Sequence, residues 1–154
     1  MSFSVEKIYE TPSYKGTRVV ILWASRHPPL KAQIAELERR FDALTIYQMS
    51  GVIPNAESVA DVASKVNASV IVPILPLSML ARLTELRRQS NNFVILFAKM
   101  NCIATTKDIT EAQKIIDEAP TKRSLATHAD GLVRVYEFER FEKLVEIKLI
   151  TEPL

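Results

Sequence analysis

The sequence predicts a three-layer α/β domain: a parallel sheet with helices on both faces and an added C-terminal antiparallel hairpin. Three observations predict it. Continuous apolar runs rich in β-branched residues, such as Arg18–Ala24, suit strands buried on both faces. Each run is followed by apolar residues at helical spacing, so βαβαβαβα runs from about Arg18 to Ala119. The tail then changes to alternating apolar and polar residues, the pattern of strands with one wet face.

Taken in order, Phe3–Tyr9 alternates and reads as a strand added at a sheet edge or in a small accessory sheet. Arg18–Ala24 is the first buried strand. Pro28 and Pro29 follow, and proline suits the first turn of a helix, so a helix carrying Leu30, Ile34, Leu37 and Phe41 starts near Pro29. Leu44–Met49 is the second buried strand. Asn55 is placed to cap a helix that carries Val59, Val62 and Val66 on one face. Ser69–Ile74 is the third buried strand, and Leu77, Leu80, Leu83 and Leu86 mark a helix ending near Asn91-Asn92. Phe93–Ala98 is the fourth buried strand, with Phe93, Phe97 and Trp23 assigned to the core. Ile109, Ala112, Ile115 and Ile116 form the inner face of a fourth helix, stopped by Pro120. Val133–Phe138 and Leu144–Ile150 form the hairpin, joined around Arg140-Phe141-Glu142. The whole reads as one Rossmann-like domain, 1–154, with its core at about 18–119 and the hairpin at about 132–151.

Composition removes many functions. The chain has 154 residues, 47% hydrophobic and 25% charged, which fits a globular domain and not a disordered one. One cysteine, Cys102, has no intrachain partner and reads as a packed thiol. With two histidines beside it, a multi-ligand zinc module is not expected, nor any resident metal or cofactor. Three glycines leave no phosphate-binding Gly-rich loop. A net charge of +2 gives no field for duplex DNA. The longest apolar run, Val70–Ala81, is about a dozen residues and holds two prolines, where a spanning helix needs about 20. The head, Met1 to Tyr14, is polar and mixed, without a signal-peptide apolar core. The expectation is a cytoplasmic protein with no membrane contact.

Ligands of open parallel sheets bind beyond the carboxyl ends of the strands. Those ends read Ser25-Arg26-His27-Pro28, Ser50-Gly51-Val52, Pro73 to Ser78, and Lys99 to Cys102. Arg26 suits two-pronged hydrogen bonding to a phosphate. His27 suits proton transfer near neutral pH. The helix N-terminus that follows offers N–H groups to an anion. Lys99 adds a cation, and Ser25, Ser50, Gly51, Ser78 and Asn101 supply polar contacts for ribose or phosphate oxygens. The bland alternative is that loops after strands are polar in any α/β protein. Ser78 suits a helix start, and Arg82, Arg87 and Arg88 suit a solvated face. Lys122, Arg123 and His128 lie in a Ser/Thr-rich stretch read as a loop or lid, ending in a turn at Asp130-Gly131.

Ser25-Arg26-His27-Pro28, between a buried strand and a helix, resembles the first motif of small CRISPR-associated ring nucleases. Val70 to Ser78 is similar to their later strand with its Leu-Pro exit, and the element order resembles the wider CRISPR-associated Rossmann-fold (CARF) group. The resemblance covers about Arg18 to Ala98. It implies a homodimer that binds a cyclic oligoadenylate, or another small anionic nucleotide. It also implies metal-independent cleavage, in which a ribose 2′-hydroxyl attacks the adjacent phosphorus and leaves a 2′,3′-cyclic phosphate. Arg26 would hold a phosphate, His27 would assist proton transfer, and Lys99 would stabilise charge on the phosphoryl oxygens. A second resemblance ranks below it. Ile21–His27 with Thr127-His128 is similar to the two-histidine arrangement of histidine phosphatases, but Pro28 stands where that family has glycine. The non-enzymatic alternative is a CARF-like domain that only binds its ligand or a protein.

Overall fold

The computed structural model describes residues 2–12, 16–90 and 92–154. Its described elements are a seven-stranded sheet and four helices. They are β1 (Phe3–Glu10), β2 (Val19–Ala24), α1 (Lys31–Arg40), β3 (Leu44–Gly51), α2 (Ala56–Lys65), β4 (Val70–Pro73), α3 (Leu77–Ser90), β5 (Val94–Thr106), α4 (Ile109–Asp117), β6 (Arg123–Thr127) and β7 (Val133–Leu144). The strand order is β1-β3-β2-β4-β5-β7-β6. Asn91, named above as a helix end, lies outside the described residues, as do Met1 and Tyr14, the limits of the polar head.

The chain divides into two compact units. The first comprises Met1–Pro28, Phe41–Phe97 and Glu142–Leu154; the second comprises Pro29–Arg40 and Ala98–Phe141. In the first unit, β3, β2, β4 and the start of β5 are mutually parallel, and β1 runs antiparallel to β3 as the terminal strand. The edge strand expected from Phe3–Tyr9 is therefore present. Leu22, Ala24, Met49, Ile71 and Ile95 meet Val59, Val62 and Ala63 of α2 and Leu83 of α3 in one apolar cluster. On the opposite parity, Ile21, Trp23, Ile46 and Val72 are also fully buried. Central strands buried on both faces explain why their sequences are continuous apolar runs. Each such side chain stabilises the fold by about 1.5–3 kcal/mol relative to exposure. Asn55 caps α2 as expected, its side chain accepting from Ser58 N–H at 2.8 Å.

In the second unit, Ala112 and Ile116 of α4 pack on Val133 and Val135 of β7, with Leu125 of β6 beside them. Ile109, expected on that inner face, is exposed. Asp108 caps α4 by accepting from Thr110 N–H at 2.9 Å. At the start of α1, Gln33 Oε1 accepts from Leu30 N–H at 2.7 Å, half of a capping box. Arg39 and Arg40 occupy its last turn, where cations suit the helix dipole.

Three expectations need correction. The C-terminal hairpin is not made from Val133–Phe138 and Leu144–Ile150. β7 continues through Arg140-Phe141-Glu142 to Leu144, and 145–150 belong to no strand. The hairpin partner is β6, antiparallel to β7 with Leu125 opposite Val135, in the stretch read as a loop. The physical reason is the turn: Gly131 has φ +80°, Asp130 Oδ1 accepts from Leu132 N–H, and Gly131 N–H donates to the His128 carbonyl. Such a turn joins the strand before it to the strand after it.

The fourth parallel strand, second, is not Phe93–Ala98 but a 13-residue β5 reaching Thr106. Its outer half is pleated and half wet, so the apolar run ends before the strand does. Third, Phe97 is 39% exposed and Cys102 is exposed, so neither is a core residue; Phe93 and Trp23 are.

Candidate functional site

β2 and β4 are adjacent parallel strands whose chain connections leave in opposite directions along the sheet, β2 toward β3 and β4 toward β5. That is a topological switch point, the place where open α/β sheets as a class bind their ligands. Ser25–Pro28 follows β2 there. The loop is fixed from several sides. Ser25 is buried, its N–H donates to the Met49 carbonyl at 3.1 Å, and its own carbonyl accepts from Gln48 Nε2 at 2.8 Å. Ser25 Oγ accepts from His27 N–H at 3.1 Å, and the His27 carbonyl accepts from Trp23 Nε1 at 2.9 Å. Just past the end of β4, Ile74 N–H donates to the Ala24 carbonyl at 2.9 Å.

On this fixed backbone the Arg26 and His27 side chains are exposed. Neither makes a hydrogen bond or ion pair with another described residue. An arginine held without a carboxylate partner keeps its donors available to an anion. Ile74 and Leu77, just beyond β4, are exposed apolar residues of the same unit. Ser25 is thus turned inward to the loop's own backbone, where the sequence suggested a ligand contact.

The other expected site residues sit differently. Ser50 and Gly51 are the last residues of β3, not a loop beyond it. Ser50 Oγ lies 3.3 Å from Ser4 Oγ of β1. Gly51 has φ +98°, and a Cβ there would stand 2.8 Å from the Ser2 carbonyl oxygen, so close approach of β1 accounts for this glycine. Ser78 is the second residue of α3 and exposed, consistent with a helix-start role.

Lys99 and Asn101 lie within β5 in the second unit, not in a loop after a strand. Both meet Glu139: Lys99 Nζ is 3.4 Å from its carboxylate, and Asn101 hydrogen-bonds to it. The Asn101 bond, with the charges of Arg140 and Lys99, holds the Glu139 carboxyl below the usual range. The N–H groups expected to be free at the start of α1 are largely engaged. Leu30 N–H goes to Gln33, Ala32 N–H goes to the Thr121 carbonyl, and Gln33 and Ile34 N–H go to the Leu30 carbonyl.

His128 Nε2 lies 3.2 Å from the Tyr136 hydroxyl, at the β6–β7 turn. Arg123 crosses the same unit: Nε donates to Glu137 at 3.0 Å, and Nη1 donates to the Ile115 carbonyl near the end of α4 at 2.7 Å. The Arg123 bond first, then Lys122, holds the Glu137 carboxyl below its ordinary range. A depressed folded-state pKa adds stability above the unfolded value and loses it as pH falls through the folded one. The melting temperature of Glu137→Gln is therefore expected below that of the parent near neutral pH. The gap should close as pH falls below about 4. A gap independent of pH would show that this carboxylate's charge is not its source.

Among the described residues no three His, Cys, Asp or Glu side chains gather as a metal site, and no helix is long and apolar enough to cross a membrane. Sequence reasoning missed the part of Trp23 in the loop. A lone aromatic in an apolar run reads as core, and its N–H partner four residues on is set only by the turn that follows. Compared with known protein families, curated proteins and solved structures, this chain matches none.

Proposed function

We propose that the chain binds a small anionic nucleotide, a cyclic oligoadenylate, at the carboxyl ends of β2 and β4. Arg26 holds a phosphate and His27 is placed for proton transfer. The observation that carries this reading is the exposed, unpaired Arg26–His27 pair on a loop fixed at the switch point. Exposed Ile74 and Leu77 offer apolar contact to a base. The parallel β3-β2-β4-β5 order, with its central strands buried on both faces, supports a three-layer, Rossmann-like fold for the proposal. The resemblance in Ser25–Pro28 and Val70–Ser78 supplies the identity of the ligand. It also implies a homodimer and metal-independent attack by a ribose 2′-hydroxyl.

A binding-only function is the second reading. It is favoured by the Lys99–Glu139 ion pair, which already neutralises the cation that cleavage would draw on. One assay separates them. Purified protein is incubated with radiolabelled cyclic tri-, tetra- and hexa-adenylate in EDTA, and the products are resolved by chromatography. Linear products ending in a 2′,3′-cyclic phosphate are expected of the nuclease. Intact ligand co-eluting with protein supports the binding domain. Neither cleavage nor co-elution overturns both.

A further inference from the structure

The segment after β7 has the sequence of a strand but pairs with no strand among the described residues. Val145, Ile147 and Leu149 alternate with Glu146 and Lys148. Leu144 packs on the core of the first unit, and Glu146 pairs with Arg88 of α3 at 2.9 Å. From 145 onward the chain is in no described strand: Val145 is exposed, Ile147 half-buried, Leu149 91% exposed and Ile150 92% exposed, and Lys148 Nζ lies 3.7 Å from the Glu146 carboxylate. Apolar residues at alternate positions gain nothing from alternation unless a neighbouring strand fixes their faces.

The same unit has an uncovered sheet edge. β1 is the terminal strand beside β3, and its outer backbone groups face no strand among the described residues. Its regular stretch is Phe3–Lys7, because the register shifts between Lys7 and Tyr9. Phe3 and Val5 lie on one face, with Phe3 against the core and Val5 exposed; Ser4 and Glu6 lie on the other. An edge of this kind pairs readily with an added strand.

We propose that residues 145–149 of one copy add as a strand to the β1 edge of a second copy. Charge and parity fit together. A register that sets Lys148 beside Glu6 sets Leu149 beside Val5 if the strands are antiparallel, and Ile147 beside Val5 if they are parallel. In both directions the apolar positions of the tail extend the Phe3/Val5 face, and the polar positions fall on the Ser4/Glu6 face. The tail of a single chain is anchored at α3 and stays off its own β1, whereas a second copy presents the same edge in trans. Reciprocal addition gives a closed two-fold dimer with two identical contacts. The proposed function already includes a homodimer; what is added here is the contact that forms it, and a dimer that survives in both variants below would overturn this contact while leaving that reading standing.

The test is the solution mass of the full chain by light scattering, from micromolar to sub-millimolar concentration. The expected result is a concentration-dependent rise to twice the chain mass. The tail variant Val145→Lys/Leu149→Lys and the edge variant Val5→Lys, all at exposed positions, should each stay at one chain mass, with melting temperatures in dilute solution close to the parent's. Mixed together, the two variants retain one intact tail and one intact edge, and should regain a weaker dimer. A parent chain that stays monomeric throughout overturns the proposal. So does a dimer that survives in both variants, because its contacts then lie elsewhere.

Discussion

Trp23→Ala is expected to lose about 3–5 kcal/mol of unfolding free energy, the range for truncating a buried aromatic to alanine. Trp23 is fully buried in β2, between β3 and β4, so no solvent-side relaxation fills the space it leaves. Urea titration followed by circular dichroism reads this directly. The substitution also removes the Nε1–H that holds the His27 carbonyl. Trp23→Phe separates the two effects, keeping most of the ring and deleting the donor. It should cost about 1 kcal/mol through the lost hydrogen bond and smaller ring. It should also loosen ligand binding more than a comparable core change such as Ile71→Val. Equal affinity in Trp23→Phe and Ile71→Val would mean that the indole bond does not position the loop.

The second large effect is on the ligand. Arg26→Ala should weaken cyclic oligoadenylate binding roughly tenfold to hundredfold, the loss of a charge-assisted hydrogen bond of about 1.5–3 kcal/mol. Arg26 has no structural partner among the described residues, so the melting temperature should not change. His27→Ala should leave binding nearly intact. If the ring is cut, it should slow cleavage by about 10²–10⁴-fold, the usual contribution of a general acid or base. Isothermal titration and single-turnover rates in EDTA supply both readings. Unchanged affinity in Arg26→Ala removes the arginine from the site, and an unchanged rate in His27→Ala removes the imidazole from the chemistry.

The legible parts of the fold are those whose burial is two-sided. β2, β3 and β4 are continuous apolar runs because both faces are covered, and Asn55 announces α2 because its capping chemistry is local. The outer half of β5 was hidden because Lys99-Met-Asn-Cys-Ile-Ala-Thr mixes exposed and half-buried positions and reads as a loop. β6 was hidden because Arg123–Thr127 becomes a strand only through its pairing with β7. Leu144–Ile150 misled in the opposite sense, carrying the alternation of a strand although 145–150 pair with no strand among the described residues. Of the candidate site, the position of Arg26 and His27 just after a buried strand was legible. The partner of Lys99 was not, because Glu139 is forty residues away and only the sheet brings it close.

The chain contains a single tryptophan, and it is the residue bonded to the His27 carbonyl. Its emission therefore carries no background from other indoles. A buried indole emits toward the blue, and a change in the bond at its N–H shifts or quenches that emission. Ligand arriving at Arg26 and His27 can thus be followed by the intrinsic light of the native protein, without a label. A stopped-flow trace would time the loop itself and not the bulk of the fold.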